Sequence, residues 1–136
     1  MPEVNILSGK DTAQSIYNKL RPRIFSLQEQ GVIPGLCVIL VGDNPASKIY
    51  VRTKTKKLKS LGLISESILL SDNVSQEKLI KLIDDLNKDT NYHGILVQLP
   101  LPRHINSQKI ISAISPRKDV DGFHPVNVGW LSIGKP

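Results

Sequence analysis

Three short apolar runs frame what this chain can become: residues 36–41 (LCVILV), 64–70 (ISESILL) and 94–99 (GILVQL). The first is rich in β-branched residues with no polar alternation, the look of a strand buried on both faces. The second is a weaker strand. Strands of this kind need helices over both sides, and parallel neighbours need a long crossover between them. The intervening sequence supplies both. Residues 11–30 carry Ala13, Ile16, Leu20, Ile24 and Leu27 at helical spacing, with Pro22 predicting a kink or a break and Gly31 the end. Asn44 as N-cap, Pro45 at the first helical position and Gly62 just past the end define a helix of about four turns. Ser75 caps another through about Asn87, with Leu79, Ile80, Leu82, Ile83 and Leu86 as its buried stripe. Pro100 and Pro102 end the third strand, and residues 105–114 form a short helix. From Ser115 on, turn residues dominate, so the rest reads as mostly irregular with one short strand. The alternation predicts an α/β protein of three layers, α/β/α, around a mainly parallel sheet.

At 136 residues the chain reads as one domain, residues 1–136. Aromatic residues are only 4%, so Ile, Leu and Val must build the core. No apolar run approaches the roughly 18 residues that would span a membrane. The opening MPEVNILSGK lacks the basic-then-apolar order of a signal peptide, which predicts a cytoplasmic protein. Cys37, the single cysteine, falls in the first apolar run and reads as a buried small hydrophobe. The formal charge of +6 invites a nucleic-acid partner. Much of it comes from one helix carrying Lys48, Arg52, Lys54, Lys56, Lys57 and Lys59 with no acid among them. Without zinc-finger spacing, aromatic-rich strand motifs or an arginine-rich tail, that partner is a weak alternative.

The same helix holds the residue that stands out. Projected at about 100° per residue, Val51, Leu58 and Leu61 gather on one arc with Tyr50 at its edge. Lys48, Arg52, Lys56 and Lys59 share another. Lys54 falls within the apolar arc, one turn after Tyr50 and on the same face. Such a lysine must snorkel out, pair with a carboxylate or line a cleft. Its helix starts just past the carboxyl end of the first strand, and Gln98 lies at the carboxyl end of the third. In open α/β sheets that edge is where ligands bind.

Other motifs are weaker. Tyr50-x-x-x-Lys54 matches the tyrosine-lysine pair of short-chain dehydrogenases, yet the turn 42–45 is Gly-Asp-Asn-Pro and no G-x-G-x-x-G stretch exists. Asp119-Val120-Asp121-Gly122 opens like a calcium loop without the later acidic ligands. His93, His104 and His124 show no metal-ligand spacing, so no metal is expected.

The segments VGDNPASKIYVRTKTKKLKSLG, HGILVQLPLP and PRKDVDGFHPVNVGWL resemble successive motifs of the bifunctional methylenetetrahydrofolate dehydrogenase/cyclohydrolase family. Order and separation fit as well, from about Gly9 to Leu131. The resemblance implies the N-terminal-domain type of the amino-acid-dehydrogenase-like fold, with a folate held in its cleft. It implies Lys54 as the catalytic lysine, Tyr50 stacked on the pterin or aminobenzoate part, and Gln98 positioning the lysine amine. Asp121 would hold the amino-pyrimidine edge, and Val97, Leu99 and Pro100 would line the wall beside the ring.

The implied chemistry is hydrolysis of methenyltetrahydrofolate, an amidinium-like cation, to formyltetrahydrofolate. An amine in apolar surroundings beside a cation is favoured in its neutral form and serves as a base. A carboxylate matches adjacent N–H donors as a paired acceptor. Family members continue into a Rossmann domain that binds the nicotinamide dinucleotide, and residues 123–136 would lead to it. The resemblance therefore implies NADP, and dehydrogenase activity, only through that domain, joined in the same chain or supplied in trans. A folate-binding module without turnover is the alternative. Oligomeric state is left open.

Overall fold

The computed structural model describes residues 7–135. The chain divides into two compact units, one ending at Ile33 and the other beginning at Pro34.

In the first unit, helix α1 (Gly9–Glu29) starts at Ser8, whose side chain accepts the Asp11 N–H. The helix runs through Pro22 without the break that the sequence leads one to expect. Proline deletes the bond to the Asn18 carbonyl. Both residues are exposed, so water can serve that carbonyl and the helix continues. Gly31, at a φ of 78°, ends it as read from the sequence.

The second unit holds three parallel strands, β1 (Gly35–Val41), β2 (Ile64–Leu70) and β3 (Gly94–Val97), in the order β2-β1-β3. Helix α2 (Pro45–Ser60) joins β1 to β2, and α3 (Gln76–Lys88) joins β2 to β3. After β3 come α4 (Ser107–Ala113) and α5 (Pro125–Ser132). Successive β1 side chains point to opposite faces. Val38 and Leu40, with Leu96 of β3, bury against Val51 of α2. Cys37, Ile39 and Val41, with Ile95 and Val97, bury against Leu79, Ile83 and Leu86 of α3 and Ile110 of α4. The expected three layers are therefore present, with β1 sealed in the centre. Burial, with Glu66 and Asp89 nearby, pushes the Cys37 thiol up to about 11, which keeps it an inert core residue.

Two stretches differ from the sequence reading. The ladder of β3 stops at Val97, not Leu99, although the Gln98 N–H still reaches the Ile39 carbonyl at 2.9 Å. Pro100 has no N–H to extend the ladder. The tail, expected to be irregular, contains α5, whose first turn is closed by the His124 ring accepting the Val126 N–H. Before it, Ile95 and Asp119 form an isolated parallel bridge, with the Ile95 N–H donating to the Lys118 carbonyl at 2.8 Å. That bridge is all that the expected short strand amounts to.

Candidate active site

The turn out of β1 sets the first wall. Gly42 takes a φ of 87°, and Asn44 caps α2 by accepting the Ser47 N–H at 3.1 Å. Ser47 is small enough to be buried at the helix start, so α2 lies close on the sheet. Val51 and Leu61 are buried and Leu58 half-buried, as the apolar arc requires. Lys54 is half-buried on that side. Its Nζ lies 4.5 Å from the centroid of the Tyr50 ring, a cation–π contact one helical turn away.

The end of β3 sets the second wall with Val97, Gln98 and Leu99. The Gln98 side-chain N–H donates to the Leu99 carbonyl at 3.0 Å, which leaves the amide oxygen as the acceptor that group can offer an amine. The loop before α5 sets the third, with Asp121 and Phe123. Together Tyr50, Lys54, Leu96, Val97, Gln98, Leu99, Asp121 and Phe123 line a cavity of about 260 Å³. Burial raises the Asp121 carboxyl above its ordinary value, Lys54 pulls it down and Asp119 pushes it up.

Six of the seven residues picked from the sequence meet in this one cavity. Pro100 does not line it and is exposed. Leu96 and Phe123 are the additions. Leu96 shares the apolar run with Val97 and carried no separate signal. Phe123 follows Gly122, whose φ of 69° bends the chain between it and Asp121.

A larger depression, about 680 Å³, lies on the other flank of α2, beside β2. Lys48, Arg52, Lys56 and Lys59 line it with Ile49 and Leu69, and among the described residues no carboxylate joins them. It is roomier, but only the smaller cavity brings together an amine, an amide, a carboxylate and two aromatic rings. The geometry favours the smaller one.

Residues 7–121 match the model of the tetrahydrofolate dehydrogenase/cyclohydrolase catalytic domain. The chain belongs to this family. It is 55% identical over 134 residues to the bifunctional protein FolD of Streptococcus equi, covering 98% of this chain and 47% of that protein. Against FolD of Streptococcus agalactiae it is 54% identical over 132 residues, covering 96% of this chain and 46% of the relative. The crystal structure of a FolD dehydrogenase/cyclohydrolase from Campylobacter jejuni superposes with a TM-score of 0.90 at 47% identity, over 93% of this chain and 45% of that one. A FolD from Trypanosoma brucei, described as complexed with NADP cofactor and inhibitor, gives a TM-score of 0.93 at 38% identity, over 100% of this chain and 46% of that one. The chain spans about half the length of the curated relatives it matches.

The residues present do not fit a dinucleotide. The turn after β1 has a single glycine followed by Asp43, which pairs with Lys48, where a pyrophosphate would need close backbone approach and no negative charge. Among the described residues no helix is long and apolar enough to cross a membrane.

Proposed function

We propose that this chain is the folate-binding catalytic domain of a cytoplasmic one-carbon enzyme, and that its cavity hydrolyses methenyltetrahydrofolate to formyltetrahydrofolate. The observation that carries this reading is the meeting of Tyr50, Lys54, Gln98 and Asp121 in one cavity beyond the strand ends. Asp121 accepts the N–H pair of the pterin edge, and Tyr50 and Phe123 provide flat apolar contact. Lys54, with its amine oriented by the Gln98 oxygen, takes the proton from the water that attacks the bridging carbon. The adduct then breaks its bond to one of the two flanking nitrogens, which takes up a proton as the hydroxyl loses its own and the formyl C=O forms on the other. Val97 and Leu99 line the wall beside the ring.

NADP-dependent oxidation of methylenetetrahydrofolate is assigned to a further dinucleotide-binding domain. Helix α5 supports a cover of this kind. None of its residues is buried, and Val126, Val128, Trp130 and Leu131 are all about half exposed or more.

The test follows the loss of methenyltetrahydrofolate absorbance with the wild type and with Lys54→Met. Wild-type acceleration that the variant lacks supports catalysis. Equal decay with both overturns it. A second reading, binding without turnover, is favoured by the exposure of the two rings of the site, Tyr50 at 55% and Phe123 at 51%, which leaves the cavity poorly shielded from water. Binding without acceleration would establish it.

A further inference from the structure

The loop that carries Asp121 is folded around a second carboxylate. Asp119 Oδ1 accepts the Gly122 N–H at 3.1 Å, and Oδ2 accepts the His124 N–H at 2.8 Å and the Asn127 side-chain N–H at 2.9 Å. Asn127 also donates to the Pro116 carbonyl at 2.9 Å. The loop is thus tied to β3 at its start, through the Ile95–Asp119 bridge, and to α5 at its end. Between those ties Gly122 takes a φ of 69°, the bend that separates Asp121 from Phe123. Burial would raise the Asp119 carboxyl, but the Asn127 amide and the backbone N–H groups of His124, Phe123 and Gly122 outweigh it and hold it below its ordinary value. Asp119 itself does not line the cavity.

We propose that Asp119 is the positioning residue of this site: by gathering the Gly122, His124 and Asn127 donors it aims Asp121 and Phe123 at the cavity that holds Lys54. It stands outside the lining of the Lys54 cavity and acts there through the two residues it places. A carboxylate is required because donors approach both of its oxygens. An amide would turn its own N–H₂ toward one of them, donor against donor. Asp121 cannot exchange roles with it, since Asp121 stands at the tip with Lys54 for a neighbour.

The inference rests on the folate reading only for the second of two measurements. The first is amide hydrogen exchange in the wild type, Asp119→Asn and Asn127→Ala, with β1 as the internal reference for folding. Exchange at Gly122 and His124 should speed up about tenfold or more in Asp119→Asn, because bonds to an ionised acceptor are the stronger kind. Exchange in β1 should not change. Unchanged exchange at both loop amides overturns the proposal. The second is the equilibrium affinity for methenyltetrahydrofolate of the wild type, Asp119→Asn, Asp121→Asn and the double variant. Asp119→Asn should weaken binding about tenfold, and the double variant should bind no more weakly than the product of the single losses would allow, and well short of it. Full additivity, or Asp119→Asn binding like the wild type while Asp121→Asn does not, overturns the positioning role. If the wild type binds no folate, the functional reading fails and the exchange data alone decide the inference. If Asp119→Asn loses protection in β1, Asn127→Ala decides it, with about a threefold change expected in each measurement because one of the three bonds to Asp119 is lost together with the bond to the Pro116 carbonyl.

Discussion

Replacing Gly94 by alanine tests how tightly the site loop is seated. Gly94 opens β3, and a Cβ there would lie 2.5 Å from Val120 Cγ1 and 3.1 Å from Leu36 Cδ1. The first distance is far inside van der Waals contact. Val120 is β-branched, with little χ1 freedom to move its methyl aside. Overpacking of this kind costs about 1–3 kcal/mol. Against it, Gly→Ala narrows the unfolded ensemble, a gain of about 0.4–1 kcal/mol. The net expectation for Gly94→Ala is a loss of about 1–2 kcal/mol in urea unfolding, read as a lower midpoint at unchanged slope. Val120 is 52% exposed, so Val120→Ala alone should cost less. The double variant should recover most of the loss, a coupling of about 1 kcal/mol between the two positions. Val120 also stands between Asp119 and Asp121. Gly94→Ala should therefore weaken folate binding in step with its stability loss, and Val120→Ala should restore both. A stable Gly94→Ala, or a double variant as unstable as Gly94→Ala itself, would refute the steric reasoning.

Ser65 is buried, and among the described residues its hydroxyl has no hydrogen-bond partner, so Ser65→Ala should raise stability by about 1 kcal/mol in thermal or urea unfolding. Lys118 donates to the carbonyls of Leu86 at 2.8 Å and Asp89 at 2.7 Å, closing the end of α3. Lys118→Met should therefore cost about 2 kcal/mol by the same assay. Because the Asp119 carboxyl lies below its ordinary 3.8 in the folded chain, its stabilisation is complete above that value and is lost as pH falls through the lower folded value. The stability gap between wild type and Asp119→Asn should then narrow as pH is taken below about 4, in acid titrations followed by circular dichroism.

Much of the fold was legible because its local signals are strong. Asn44-Pro45 and Gly62 mark α2 at both ends, and the Leu79, Ile83, Leu86 stripe of α3 buries as spaced. Helix α5 was not legible because its burial has no periodicity to read: every apolar residue on it is exposed or half-exposed, and Gly129 and two valines weaken the propensity. Its one clear mark was His124-Pro125, a cap followed by proline at the first helical position. The α1 pattern misleads in the opposite sense, since Ile16 is 51% and Leu27 38% exposed despite helical spacing. In the site, Lys54 was visible because it broke its helix's pattern. Asp119 and Phe123 were not, because within DVDGFH a structural aspartate and a site aspartate look alike, and a phenylalanine beside a turn glycine has no period to violate.

The sheet order explains why these scattered residues meet. From β1 the chain crosses to one side, through α2, to reach β2. It then passes behind β1, through α3, to reach β3 on the other side. The two crossovers lie on opposite faces, as the separate packing of Val51 and of Ile83 shows. At the carboxyl ends of β1 and β3 the connections therefore diverge and leave a crevice, the switch point of an open parallel sheet. Helix α2 brings Tyr50 and Lys54 to one side of it, and β3 brings Val97, Gln98 and Leu99 to the other. The loop tied to β3 through Asp119 closes it with Asp121 and Phe123. The cationic depression beside β2 lies away from that point, over a single crossover, and no carboxylate is among its described lining residues. Moving β3 to the far side of β2 would leave every local element intact and separate the amine from the carboxylate. The chemistry of this cavity is thus a property of strand order as much as of the side chains that line it.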